Sequence, residues 1–164
     1  MLFRSLNLGG DWVAVAADFD AQGAVVVNAG AYDADLSALS SGSFTVNVGS
    51  GSTVVGSTRS DVLNSYGDGV TLTGGLGADV FYVEGWGNGG QPRTVTITDL
   101  GNGTDVLRVV APNWGYYYSY PSGSPVTVNA TLTGAWVASS DTYATRGVSY
   151  YGATDLRVNL STAG

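Results

Sequence analysis

The sequence predicts an all-β fold, a parallel β-roll or β-solenoid with additional strands and a loop-rich insertion. Three observations predict it. Gly makes up 25 of 164 residues, roughly twice ordinary usage, and much of the excess falls at fixed intervals. Residues 47–82 divide into four nines whose eighth positions, Val54, Leu63, Leu72 and Phe81, are all large and apolar. Alternate nines also match better than neighbours do: laying 47–64 on 65–82 pairs Gly49 with Gly67, Gly51 with Gly69, Thr53 with Thr71, Gly56 with Gly74, Asp61 with Asp79 and Val62 with Val80.

That alternation has a physical reading. Each nine is a six-residue Gly-rich turn followed by a three-residue strand, and two nines complete one coil of a flattened helix. Turns 18 residues apart then stack, strands fall into two parallel sheets, and position eight points inward to form the core. A hairpin meander would show Gly-rich turns too, but it would not hold a strict nine over four units.

The remaining elements follow in order. Residues 6–46 carry strands leading into the coil, around Trp12, from Ala24 to Val27, toward Leu36 and from Phe44 to Val48. Residues 47–82 are the two 18-residue coils. Residues 83–129 hold closing strands at 94–98 and 106–110 and an aromatic loop, Trp114-Gly115-Tyr116-Tyr117-Tyr118-Ser119-Tyr120. Val126 to Leu132 alternates apolar and polar residues and predicts a half-buried strand.

A longer period links the two ends. Sliding the chain by 124 residues sets Leu8 on Leu132, Gly10 on Gly134, Trp12 on Trp136, Val13 on Val137, Ala14 on Ala138 and Gly23 on Gly147. Residues 6–31 and 130–155 are thus expected to be copies of one element, with 130–164 the truncated start of a next tandem unit. Trp12 and Trp136 are expected to be core or inter-unit anchors. The opening Leu2-Phe3-Arg4-Ser5 equals the translation of a common sequencing adapter, so the chain is expected to be an open reading frame from a fragmentary assembly, with Met1 to Ser5 not native.

Composition removes many chemistries. With no His, Cys or Lys there is no Ser-His-Asp or Cys-His triad, no ordinary zinc site, no disulfide framework and no Schiff-base or phosphate-loop lysine. A net charge of -7 with six scattered Arg argues against nucleic acid. No apolar run approaches the length of a membrane span. A single Glu and no Asp pair fixed by spacing leave little for a glycosidase, and no enzyme activity is expected. Twelve of the 13 acids are Asp, the short carboxylate that turns and calcium loops use.

The segment Gly74-Gly75-Leu76-Gly77-Ala78-Asp79-Val80-Phe81 fits the Gly-Gly-x-Gly-x-Asp-x-apolar nonapeptide throughout, and 47–82 resembles the calcium-binding right-handed β-roll of RTX proteins. The segment 96–107 is similar to the closing element that follows such rolls. The resemblance implies calcium held between turns 18 residues apart, by Asp61 and Asp79, with the turns that begin at Gly56 and Gly74 and include Gly77. Asp68, in Gly67-Asp68-Gly69 on the opposite edge, is a weaker candidate. The earlier turn departs from the pattern at Ser57 and Arg59, and Arg59 is expected either to repel the ion or to replace it by a salt bridge to Asp61 or Asp79.

These readings imply a calcium-binding structural repeat module of a secreted or cell-surface protein of the adhesin, S-layer or RTX type, folding on extracellular calcium. Its expected partners are neighbouring repeats of the same chain, with cell-surface glycan or matrix as a further target, and neither nucleic acid nor membrane insertion. The alternative is a carbohydrate-binding module that uses the Trp114–Tyr120 loop on a metal-free scaffold. The Thr pattern at 53, 71–73 and 94–98 resembles the ladders of ice-binding solenoids, but such a face is expected to be broken by Val62 to Asn64 and by Phe81-Tyr82.

Overall fold

The computed structural model describes residues 5–15, 24–84, 93–110, 126–141 and 156–162. Among them the chain is all-β, with no helix. The strands run in order: β1 (Ser5–Asn7), β2 (Trp12–Val13), β3 (Ala24–Gly30), β4 (Ala34–Asp35), β5 (Ser43–Val48), β6 (Thr53–Val55) and β7 (Val62–Ser65). They continue as β8 (Val70–Thr73), β9 (Val80–Glu84), β10 (Arg93–Leu100), β11 (Asp105–Val110), β12 (Val126–Leu132), β13 (Trp136–Asp141) and β14 (Leu156–Thr162).

Odd-numbered strands form one sheet, in the order β1-β3-β5-β7-β9-β11-β13, and even-numbered strands form the other. Every pairing is parallel. Parallel neighbours need a crossover connection, and here the crossover is a strand of the opposite sheet.

The nine-residue phase is what positions the core. Val54, Leu63, Leu72 and Phe81 are all fully buried, and they fall alternately in the two sheets, Val54 pairing with Leu72 and Leu63 with Phe81. The period of 18 is therefore the distance between neighbouring strands of one sheet. Along β3 the same logic holds at period two, with Val25, Val27 and Ala29 inward. One apolar cluster runs from Ala14 and Val25 to Val128 and Ala130, filled by Val, Leu and Ala around Phe44 and Phe81.

The two edges are unequal, which the even division into nines does not anticipate. Six residues, Gly56–Asp61 and Gly74–Asp79, join β6 to β7 and β8 to β9, whereas only Tyr66–Gly69 joins β7 to β8. The strands take up the difference by lengthening. On the outer face of the first sheet, Asn7, Asn28, Asn47 and Asn64 stand in register and hydrogen-bond amide to amide at 2.7, 2.7 and 2.9 Å. The ladder continues into Tyr82 and then Arg108, whose guanidinium lies 6.0 Å from the Tyr82 ring centre.

Trp12 and Trp136 both pack partly buried against the core. They do so from opposite sheets, Trp12 in β2 and Trp136 in β13, so the shift of 124 residues carries the matched element from one sheet to the other. Of that match, Gly23 and Gly147 lie outside the described residues, as does the Trp114–Tyr120 loop.

Candidate metal centre in the stacked turns

Turns that lead from the second sheet back to the first stack on one edge. Glycine is required there by the approach of neighbouring backbone. A Cβ on Gly77, whose φ is +122°, would meet the Arg59 carbonyl oxygen at 2.8 Å, and Gly75, at φ +93°, faces the Ser57 carbonyl. Only glycine adopts such φ values without strain and leaves that space open.

The turn aspartates point inward, not to solvent. Asp61, Asp79 and Asp105 are all buried, and each carboxylate reaches main chain at or beside the preceding strand of the first sheet. Phe44 N–H donates to Asp61 Oδ1 at 2.9 Å, Asp61 N–H to Asp79 Oδ1 at 2.8 Å, and Asp79 N–H to Asp105 Oδ1 at 2.9 Å. The second oxygen closes the residue's own turn: Ser57 N–H donates to Asp61 Oδ2 at 2.6 Å and Gly101 N–H to Asp105 Oδ2 at 2.7 Å.

Asp79 is the exception. In its turn the corresponding donor, Gly75 N–H, goes instead to Asp99 Oδ2 at 2.8 Å, and Gly74 N–H goes to Asp99 Oδ1 at 2.8 Å. Asp79 Oδ2 is left buried without a hydrogen-bond partner, above Gly74, where a Cβ would meet it at 2.5 Å. Burial pushes its carboxyl up to about 7, aided by the charges of Asp105, Asp61 and Asp99 and opposed by the Asp61 N–H. Burial also raises Asp61, which the Ser57 and Phe44 N–H groups pull back down.

The structure thus brings Asp61, Asp79, Gly56, Gly74 and Gly77 to one edge. It does not bring Asp68 there: that residue is exposed on the other edge, its Oδ1 accepting Thr94 N–H at 2.7 Å. That is the edge expected of Asp68, whereas of the two roles expected of Arg59 the salt bridge is not formed. The Arg59 side chain is exposed, and the one ion pair among the described residues joins Arg93 to Glu84 at 3.7 Å, so no salt bridge from Arg59 replaces a cation at Asp61 or Asp79. The reason is local: the Arg59 N–H is held by Ser57 Oγ at 3.1 Å, and the turn leaves its side chain in solvent.

Two residues of the cluster went unread in the sequence. Asp105 had a signal, since Gly101-Asn102-Gly103-Thr104-Asp105 repeats the Gly-x-Gly-x-Asp phase of the turn before it; it follows Asp79 by 26 residues instead of 18, which hid it from a fixed period. Asp99 carries no such signal, because its role arises from β10 ending beside Gly74.

Among the described residues no group of three or more acidic side chains forms a ready metal cage. The atom that fits a cation is Asp79 Oδ2, a buried acceptor with no donor among three other carboxylates. Those neighbours accept N–H groups, and each carboxylate oxygen keeps a second lone pair. Compared with known protein families, curated proteins and solved structures, the chain matches none. What fold and edge define together is an all-β chain of two parallel sheets laced by stacked glycine-aspartate turns.

Proposed function

We propose that the chain is a calcium-binding structural repeat module, a right-handed parallel β-roll from a secreted or cell-surface protein of the adhesin, S-layer or RTX type. The observation that carries the reading is the unpartnered Asp79 Oδ2 in a column of buried aspartates. Calcium takes six to eight oxygens at loosely fixed angles, so it suits a turn edge that offers carboxylates beside main-chain carbonyls. Asp79 and Asp61 would hold it, with carbonyls from the turns of Gly56, Gly74 and Gly77.

The energetics give the role. Ordering glycine-rich turns is entropically expensive, and stacking Asp61, Asp79 and Asp105 adds repulsion. A bound cation offsets that repulsion and stabilises the folded state by its occupancy. Millimolar extracellular calcium fills weak sites that cytosolic levels leave empty. The net charge of -7 is compatible with such a partner. A role in a tandem array is supported by two sheets that grow by one strand at a time, alternately, along the described residues.

The test is a calcium titration of the purified chain, followed by far-ultraviolet circular dichroism and melting temperature against EGTA and magnesium controls. The expected result is a melting temperature that rises with calcium and loses that response in Asp79→Asn. Identical spectra and melting with calcium and with EGTA would overturn the proposal.

A further inference from the structure

The outer face of the second sheet carries a two-dimensional array of small hydroxyl and amide groups. One rank runs Thr53, Thr71, Thr96, Asn129, Asn159 across β6, β8, β10, β12 and β14, each residue in register with the next. The neighbouring rank runs Val55, Thr73, Thr98, Thr131, Ser161, with the register shifting between Ile97 and Leu100. Across these five strands neither rank contains an aromatic residue, and the carboxylates lie at their margins, Asp35 of β4 in register with Val55 and Asp99 beside Thr98 at the irregularity in β10. The residues thought to interrupt this pattern, Val62 to Asn64 and Phe81-Tyr82, belong to β7 and β9 in the opposite sheet, so the face is continuous over five strands.

The side chains are pre-ordered. Thr73 and Thr98 hydroxyls lie 2.7 Å apart, the Asn159 amide donates to Asn129 Oδ1 at 2.8 Å, and Thr131 and Ser161 hydroxyls lie 3.5 Å apart. Parallel strands repeat at roughly 4.8 Å and alternate residues at roughly 6.6 Å, a rectangular grid comparable with the oxygen repeats on a prism face of hexagonal ice. Threonine adds a methyl beside each hydroxyl, and the methyl restricts neighbouring water without binding it, while the hydroxyl anchors one.

We propose that this face binds ice, holding a layer of water on the Thr, Asn and Ser grid that merges with the lattice. A crystalline polysaccharide is the other flat, repeating ligand. Such ligands are met by aromatic rings that offer an apolar face, and the two ranks hold none. The grid lies on a sheet face and includes none of the turn aspartates, so it stands apart from the calcium reading.

The experiment measures ice-crystal shaping and recrystallisation inhibition by the purified chain in calcium-containing buffer, its fold verified by circular dichroism. Faceted crystals are expected, with the effect largely lost in Thr71→Tyr and weakened in Thr96→Val, which keeps shape and removes a hydroxyl. Thr45→Tyr, on the outer face of the other sheet, should leave the effect intact. A folded wild-type chain that leaves crystals rounded overturns the proposal, as does full activity in folded Thr71→Tyr. So does retention on insoluble polysaccharide without any effect on ice.

Discussion

The N–H of Asp61 donates to Oδ1 of Asp79 at 2.8 Å while the carbonyl of Asp61 accepts the Val80 N–H at 2.9 Å. Asp79 and its neighbour are thus tied by a reciprocal pair in which a carboxylate extends the ladder of the sheet into the turn. The same pair recurs one strand further along that sheet, between Asp79, Asp105 and Val106. Each aspartate is a structural acceptor before it is anything else.

Replacing Asp79 by Ala would leave the buried Asp61 N–H without an acceptor, at a cost of about 1–3 kcal/mol. Asp79→Asn keeps an acceptor oxygen and removes the charge. In EGTA the Asn variant should therefore be at least as stable as wild type at pH 7.5, and the Ala variant clearly less so, as read from urea denaturation midpoints.

The raised Asp79 carboxyl sets a pH dependence. Its folded value of about 7 exceeds the ordinary 3.8, so between these values the folded state holds a proton that the unfolded state has lost. Stability of the calcium-free chain should fall as pH rises from about 4 to about 7, by at most about 1.4 kcal/mol per pH unit for one proton. Asp61 shifts in the same direction. Under the calcium proposal, saturating calcium competes with the proton and flattens this decline, which melting curves at pH 5 and 7.5 would show.

Gly77→Ala places a Cβ against the Arg59 carbonyl at a φ of +122°. The expected loss is about 1–3 kcal/mol. Leu76→Ala, one residue away and 57% exposed, should stay within about 0.5 kcal/mol. Similar losses for the two variants would refute the stacked-turn geometry.

Asn47 both donates to Asn28 and accepts from Asn64, whereas Asn7 stands at the end of the ladder and only accepts from Asn28. Asn47→Ala should cost about 1–2 kcal/mol, and Asn7→Ala about half of that. Thermal melts of the two single variants are sufficient to compare them.

Much of the core was legible. Four large apolar residues recur at position eight of consecutive nines, and all four are buried. The strand from Val126 to Leu132 was set by its strict alternation. The pairing of Gly56 with Gly74 and of Asp61 with Asp79 followed from the period of 18, because stacked turns must occupy equivalent positions.

Other features were not legible, for reasons of geometry. The threonine ranks are hidden in linear order because successive strands alternate between sheets, so Val62 to Asn64 and Phe81-Tyr82 fall on the opposite sheet and do not interrupt them. Asp105 lies off the fixed period, and Asp99 enters the cluster only because β10 delivers it to the Gly74 and Gly75 amides. Local sequence determined which residues turn, which extend and which face inward, since these are set by φ, side-chain bulk and period. Only the tertiary structure decided which strand and turn each carboxylate serves: three buried aspartates share a column with one more acceptor than donor, and the deficit falls on Asp79 because Asp99 has taken the Gly75 amide.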